Sequence, residues 1–169
     1  MTGYEEKIDL RTKTVVLGVG NILMADEGVG VRVVQRLEKE YVLPPDVHVV
    51  DGGTLGMDLL YYLAEARNLI IIDAVEMAGE PGQTLRLEGD DVPARLSLKM
   101  SPHQMGVPDM LFAAKLRDLY PEHVVLLGVQ PGVLEPSLEM SPPVAAQIEA
   151  LINQIGRELK QWGFTIERR

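Results

Sequence analysis

Three unbroken apolar runs dominate the chain: TVVLGV at residues 14–19, LIII at 69–72 and VVLLGV at 124–129. A strand with one wet face alternates apolar and polar residues, whereas a strand covered on both faces does not need to. None of the runs is long enough to cross a bilayer. Between them lie stretches whose apolar residues recur at helical spacing. Buried strands alternating with helices imply a mostly parallel sheet with helices on both faces.

The intervening segments fill in the order. Val29, Val31 and Val33 alternate with Gly28, Gly30 and Arg32, which is strand-like, but Val34, Leu37 and Tyr41 keep helical spacing in a stretch rich in helix formers. With Asp26 and Glu27 placed favourably for a helix dipole, residues 27–41 are predicted to be helical. Pro44-Pro45 breaks the chain, and 47–50 reads as a second strand ending in Asp51-Gly52-Gly53. Thr54 is predicted to cap a helix that aligns Leu55, Leu59, Leu60 and Leu63. Residues 84–87 alternate as an edge strand does, and 88–102 read as irregular or a short helix. A helix is predicted from Val107-Pro108 to about Tyr120. Ser141-Pro142 opens a long amphipathic helix through Val144, Ile148, Leu151, Ile155 and Leu159, closed by Gly163. The order is β-α-β-α-β-β-α-β-α. Residues 1–12 read as a loose leader and 13–169 as a single α/β domain.

Composition narrows the function. The 169 residues are 46% hydrophobic and 24% charged, enough for one packed core without staples. The absence of cysteine excludes thiol nucleophiles, iron–sulfur ligation and cysteine-held zinc. A net charge of −9 argues against nucleic acid and anionic membranes, both of which are bound through Lys and Arg. The first dozen residues hold no apolar core of a secretory signal, and the chain is expected in the cytoplasm.

In open α/β sheets, ligands bind outside the carboxyl ends of the strands. The residues there are Gly18 to Gly30 after the first strand, Asp51 to Thr54 after the second, Asp73 after the third, and Gln130-Pro131 after the last. A dinucleotide loop is disfavoured: Leu23 stands where the third glycine of G-x-G-x-x-G is needed, and two carboxylates follow. No GK[ST] and no G-x-S-x-G is present. His48 and His123 lie in strands and read as structural or surface residues. His103 differs, sitting in the Pro-bounded polar loop Met100-Ser-Pro-His103-Gln-Met-Gly106. Glu27, Asp73 and His103 together make a partial shell for a divalent metal with positions left open. Each also has a structural alternative. Glu27 can complement a helix dipole, Asp73 can accept backbone amides at a strand end, and Asp51 fits an Asp-Gly-Gly turn. Gly28, Gly30, Gly52 and Gly53 can serve close packing alone.

Gly18-Val-Gly20-Asn21-Ile-Leu-Met-Ala-Asp26-Glu27-Gly28-Val-Gly30-Val-Arg32 resembles the opening motif of the hydrogenase maturation endopeptidases. Asp51-Gly-Gly-Thr54-Leu-Gly56, Ile-Ile-Asp73-Ala74, Ser101-Pro-His103-Gln104, Gly128-Val-Gln-Pro131 and Leu134-Glu-Pro136 are similar to that family in order and spacing. The resemblance covers nearly all of the chain beyond the first dozen residues. It implies a three-layer α/β fold with a twisted, mostly parallel five-stranded sheet. It implies an endopeptidase that removes the C-terminal extension of the [NiFe] hydrogenase large-subunit precursor after nickel insertion, acting as a monomer. The family's metal-contacting residues fall on Glu27, Asp73 and His103. These are expected to engage nickel supplied by the precursor and to open toward solvent at one rim. Two other classes stand beside it: a metallopeptidase with its own divalent metal, and a non-catalytic nickel- or nucleotide-binding escort.

Overall fold

The computed structural model describes residues 11–53, 59–97 and 106–169. A five-stranded sheet runs through it in the order β3-β1-β4-β6-β5, formed by β1 (Lys13–Val19), β3 (Val47–Gly53), β4 (Ala66–Ala74), β5 (Thr84–Glu88) and β6 (His123–Val129). The pairs β1–β3, β1–β4 and β4–β6 are parallel, and only the edge strand β5 is antiparallel. The mostly parallel five-stranded sheet is therefore as the sequence and the resemblance implied.

The unbroken apolar runs are explained by the two faces of the sheet. Val16, Ile70, Ile72, Val125 and Leu127 pack with residues of α1 (Val29–Glu40) and α6 (Ile148–Gln161). Their alternating neighbours Val15, Leu17, Leu69, Ile71, Val124 and Leu126 pack with α2 (Leu60–Leu63), α3 (Asp91–Leu96) and α4 (Val107–Leu116). Successive side chains on a strand point to opposite faces, so a strand between two helical layers has no wet face to mark with polar residues.

The helix predicted over 27–41 forms, beginning as the 3-10 turn Ala25–Gly28 and continuing as α1, which ends at Glu40. Tyr41 instead opens β2 (Tyr41–Val42), which pairs antiparallel with β7 (Glu167–Arg168). The helix predicted from Ser141 is interrupted. Its first turn is α5 (Pro142–Ala145), and the amide of Gln147 bonds back to Val144 O at 3.0 Å before α6 begins. Gly163, at φ 86°, closes α6, with Phe164 N donating to Leu159 O at 3.0 Å. The predicted Thr54 cap lies outside the described residues, as does the leader up to residue 10.

Two glycines fix how α1 meets the sheet. A Cβ on Gly30 would lie 2.1 Å from Ile72 O and 2.5 Å from Val19 O, and one on Gly18 would lie 2.2 Å from Gly30 O. The first turn of α1 thus rests backbone to backbone on the carboxyl ends of β1 and β4. Leaving β1, the chain enters α1 on one face; leaving β4, it continues to α3 and α4 on the other. The crevice of a doubly wound sheet opens where the connections diverge in this way, between the ends of these two strands.

Candidate active site

Glu27 and Asp73 flank that crevice. Glu27 lies in the 3-10 turn Ala25–Gly28 between β1 and α1, three residues ahead of Gly30. Gly20, at φ 129°, lets the chain fold back so closely that a Cβ there would sit 1.8 Å from Glu27 O. The turn is closed by Met24 N to Asn21 O and Glu27 N to Met24 O, each 3.1 Å. Asp73 is the residue after Ile72 on β4, paired in register with Gly128 of β6. By strand alternation it faces the α2–α4 side, together with Leu69 and Ile71.

The two carboxylates differ in access. Glu27 is half-buried, whereas Asp73 is 3% exposed. The expectation of a claw open to solvent is corrected at Asp73. A residue that ends a central strand, on a face covered by helices, lies beneath the rim and not on it. His103 lies outside the described residues, and among those described no three His, Cys, Asp or Glu side chains form a metal-binding group.

The direction of α4 bears on the same site. Arg11, just ahead of β1, donates to Tyr120 O at 2.8 Å, so the chain beyond α4 sits at the amino end of the sheet. From there it enters β6 at His123. The ten residues of α4 span about 15 Å, which carries its first turn back toward the carboxyl rim.

Two buried polar residues build the floor around the crevice. Asp26 is fully buried and accepts hydrogen bonds from Gly132 N (2.8 Å), Val133 N (2.7 Å), Ser141 N (2.7 Å) and Ser141 Oγ (2.7 Å). Burial pushes its carboxyl up, but the bonds from Val133, Ser141 and Gly132 together outweigh this and hold it below the usual carboxylate range. Gln130 accepts from Met77 N at 2.7 Å and Gly79 N at 3.2 Å, and donates to Glu76 Oε2 at 2.8 Å. That bond, with one from Ala78 N, lowers the Glu76 carboxyl. The loops after β1, β4 and β6 are thereby tied to one another.

The remaining candidates settle into structural roles. Asp51 accepts from Gly53 N at 3.1 Å and from Gln35 Nε2 at 3.3 Å, as a turn aspartate does. His48 is exposed on β3. His123, at the opposite end of the sheet, stacks on Trp162 with ring centroids 6.0 Å apart. Asp26 was read from sequence only as a helix-dipole partner. Its anchoring role leaves no local signal, because its partners lie more than a hundred positions away in sequence.

Comparison with known proteins decides the family. The hydrogenase maturation protease family matches residues 31–158, a span that includes Asp73 and His103 and begins just beyond Glu27. The chain belongs to the hydrogenase maturation proteases. It is 43% identical over 152 residues to the hydrogenase 2 maturation protease of Escherichia coli K12, covering 89% of this chain and 93% of that one. It superposes on the hydrogenase maturating endopeptidase HybD from E. coli with a TM-score of 0.89 at 42% identity, over 94% of this chain and 98% of the other. A hydrogenase 2 maturation peptidase from a Thaumarchaeota archaeon gives a TM-score of 0.70 at 33% identity, over 88% and 99%. As a maturation endopeptidase the chain is a hydrolase of peptide bonds. Among the described residues no helix is long and apolar enough to cross a membrane.

Proposed function

We propose that this maturation protease removes the C-terminal extension of a [NiFe] hydrogenase large-subunit precursor, and that Glu27, Asp73 and His103 read the nickel the precursor already carries. The observation that carries the reading is the position of Glu27 in the turn from β1 to α1 and of Asp73 near the end of β4, at the divergence point of the sheet, in a chain of this family. Two carboxylates and an imidazole suit a divalent first-row ion. In sequence His103 stands three positions before Gly106, which heads α4.

In this reading the metal is part of the substrate. It supplies Lewis acidity toward the scissile carbonyl or toward a bound water. Glu27, the more accessible carboxylate, takes a proton from the attacking water, and Asp73, buried near the end of β4, orients the docked centre. A precursor without nickel offers no cation to this acidic crevice and docks poorly. The protein works as a monomer on the folded precursor in the cytoplasm.

The test compares purified nickel-loaded and nickel-free precursor, scored by the mass of the large subunit. Clipping of the loaded form alone is the expected result. Equal clipping of both would refute the nickel checkpoint.

A further inference from the structure

The loop after β6 runs beside the Glu27 turn as a rigid strip. Met24 and Ser137 form a parallel bridge, with Ala25 N to Ser137 O at 2.9 Å and Ser137 N to Leu23 O at 3.0 Å. Asp26 N reaches Val133 O at 3.1 Å, and Arg32 pins the far end through Leu138 O at 3.1 Å. Beneath it lies the Asp26 carboxylate with its bonds to Gly132, Val133 and Ser141. Yet this strip holds large apolar side chains in water: Leu23 is 60% exposed, Leu134 49%, Leu138 64% and Val133 38%. Apolar residues scattered singly on a surface need no explanation, but several on two paired segments beside a site do. Glu135 between them and Glu139 next to Leu138 are exposed, with no ion pair to either among the described residues.

We infer that this strip is the seat of the precursor's C-terminal extension, bound as an extended segment with apolar residues against Leu23, Leu134 and Leu138 and a basic residue beside Glu135 or Glu139. The inference rests on the reading above that the extension is cleaved at the Glu27 crevice. An endopeptidase must hold the chain beyond the bond it cuts, and the strip is continuous with the turn that carries Glu27. Because its backbone is already fixed, little conformational freedom is lost when a peptide docks. The acidic flank selects a cationic segment and makes association depend on ionic strength.

The experiment measures binding and cleavage of the unprocessed, nickel-loaded large subunit by the full chain, with Leu134→Ser/Leu138→Ser, Glu135→Lys/Glu139→Lys and a control, Leu116→Ser, also exposed but on α4. The leucine pair should raise both Kd and KM about tenfold with kcat within about twofold, because it removes contact area and not chemistry. The charge reversal should weaken binding at low salt and flatten its salt dependence, and the control should behave as the parent. A precursor truncated before the extension should bind the parent and the leucine pair equally. Kd and KM within about twofold of the parent for the leucine pair would overturn the inference. So would a binding defect that persists with the truncated precursor, which would place the contact on the body of the large subunit. Binding is read even if nickel-free precursor is clipped as well, so failure of the checkpoint and failure of the seat remain distinguishable.

Discussion

Asp26 and Ser141, separated by 115 positions in sequence, share two hydrogen bonds of 2.7 Å, one from the amide and one from the hydroxyl of the serine. Ser141 stands at the start of the helix it precedes, as the sequence predicts. It makes no side-chain cap there and spends its hydroxyl on the aspartate. The loop after β6 is therefore fastened to the turn that carries Glu27.

Removing that carboxylate strands buried donors. Asp26→Ala should cost about 3 kcal/mol, since it leaves the amides of Gly132, Val133 and Ser141 without their charged acceptor. Urea unfolding of the variant beside the parent measures it, and a loss under about 1 kcal/mol would deny the anchor its role.

The same residue predicts an acid limb. Its folded-state pKa is depressed, so its stabilisation is complete above the unfolded value of about 4 and is lost as pH falls through the lower folded value. Stability measured from pH 5 downward should fall more steeply in the parent than in Asp26→Asn. Parallel curves would argue that the carboxylate is not preferentially ionised in the fold.

Much of this architecture was legible in the residues, for a physical reason. The runs at 14–19, 69–72 and 124–129 are buried on both faces, and burial on both faces leaves a local record in composition. The Asp26 network leaves none, because its partners lie 106 to 115 positions away. The β2–β7 pair escaped for another reason: two residues on each side are too few to show a period. At the site, position at the strand ends marked Glu27 and Asp73, but pattern alone gave no hint that Asp73 lies under the surface. That follows from the helices packed over its face.

Arg86 and Glu158 form a second long-range pair, with Glu158 2% exposed and also bonded by Gln154 Nε2 at 2.8 Å. Arg86 holds the glutamate below the usual carboxylate range despite its burial. Arg86→Met should cost roughly 2–3 kcal/mol, below the ~3–5 of a fully buried pair because the arginine keeps contact with water. Arg86→Met/Glu158→Leu should recover most of that loss. If the double variant is no better than the single one, an orphaned charge is not the cause.

For the site itself, Glu27→Gln should lower the rate of precursor clipping at least about 100-fold while leaving the melting temperature within a few degrees, as expected of a group that moves a proton. His103→Ala should likewise abolish clipping of the loaded precursor. Full activity in either variant would remove that residue from the site.

If nickel is read only on the precursor, the isolated protein should carry far less than one equivalent of nickel, zinc or manganese by elemental analysis after purification without chelator. One firmly held equivalent would instead favour a resident metal.

Gly30 lies against the main-chain carbonyls of Ile72 and Val19. A contact between peptide groups is indifferent to which hydrophobic residues fill the interior. Leucines, isoleucines and valines behind it are thus free to interchange over evolutionary time while the spacing between the ends of β1 and β4 stays constant. Relatives whose interiors have diverged widely should still superpose most tightly at this junction.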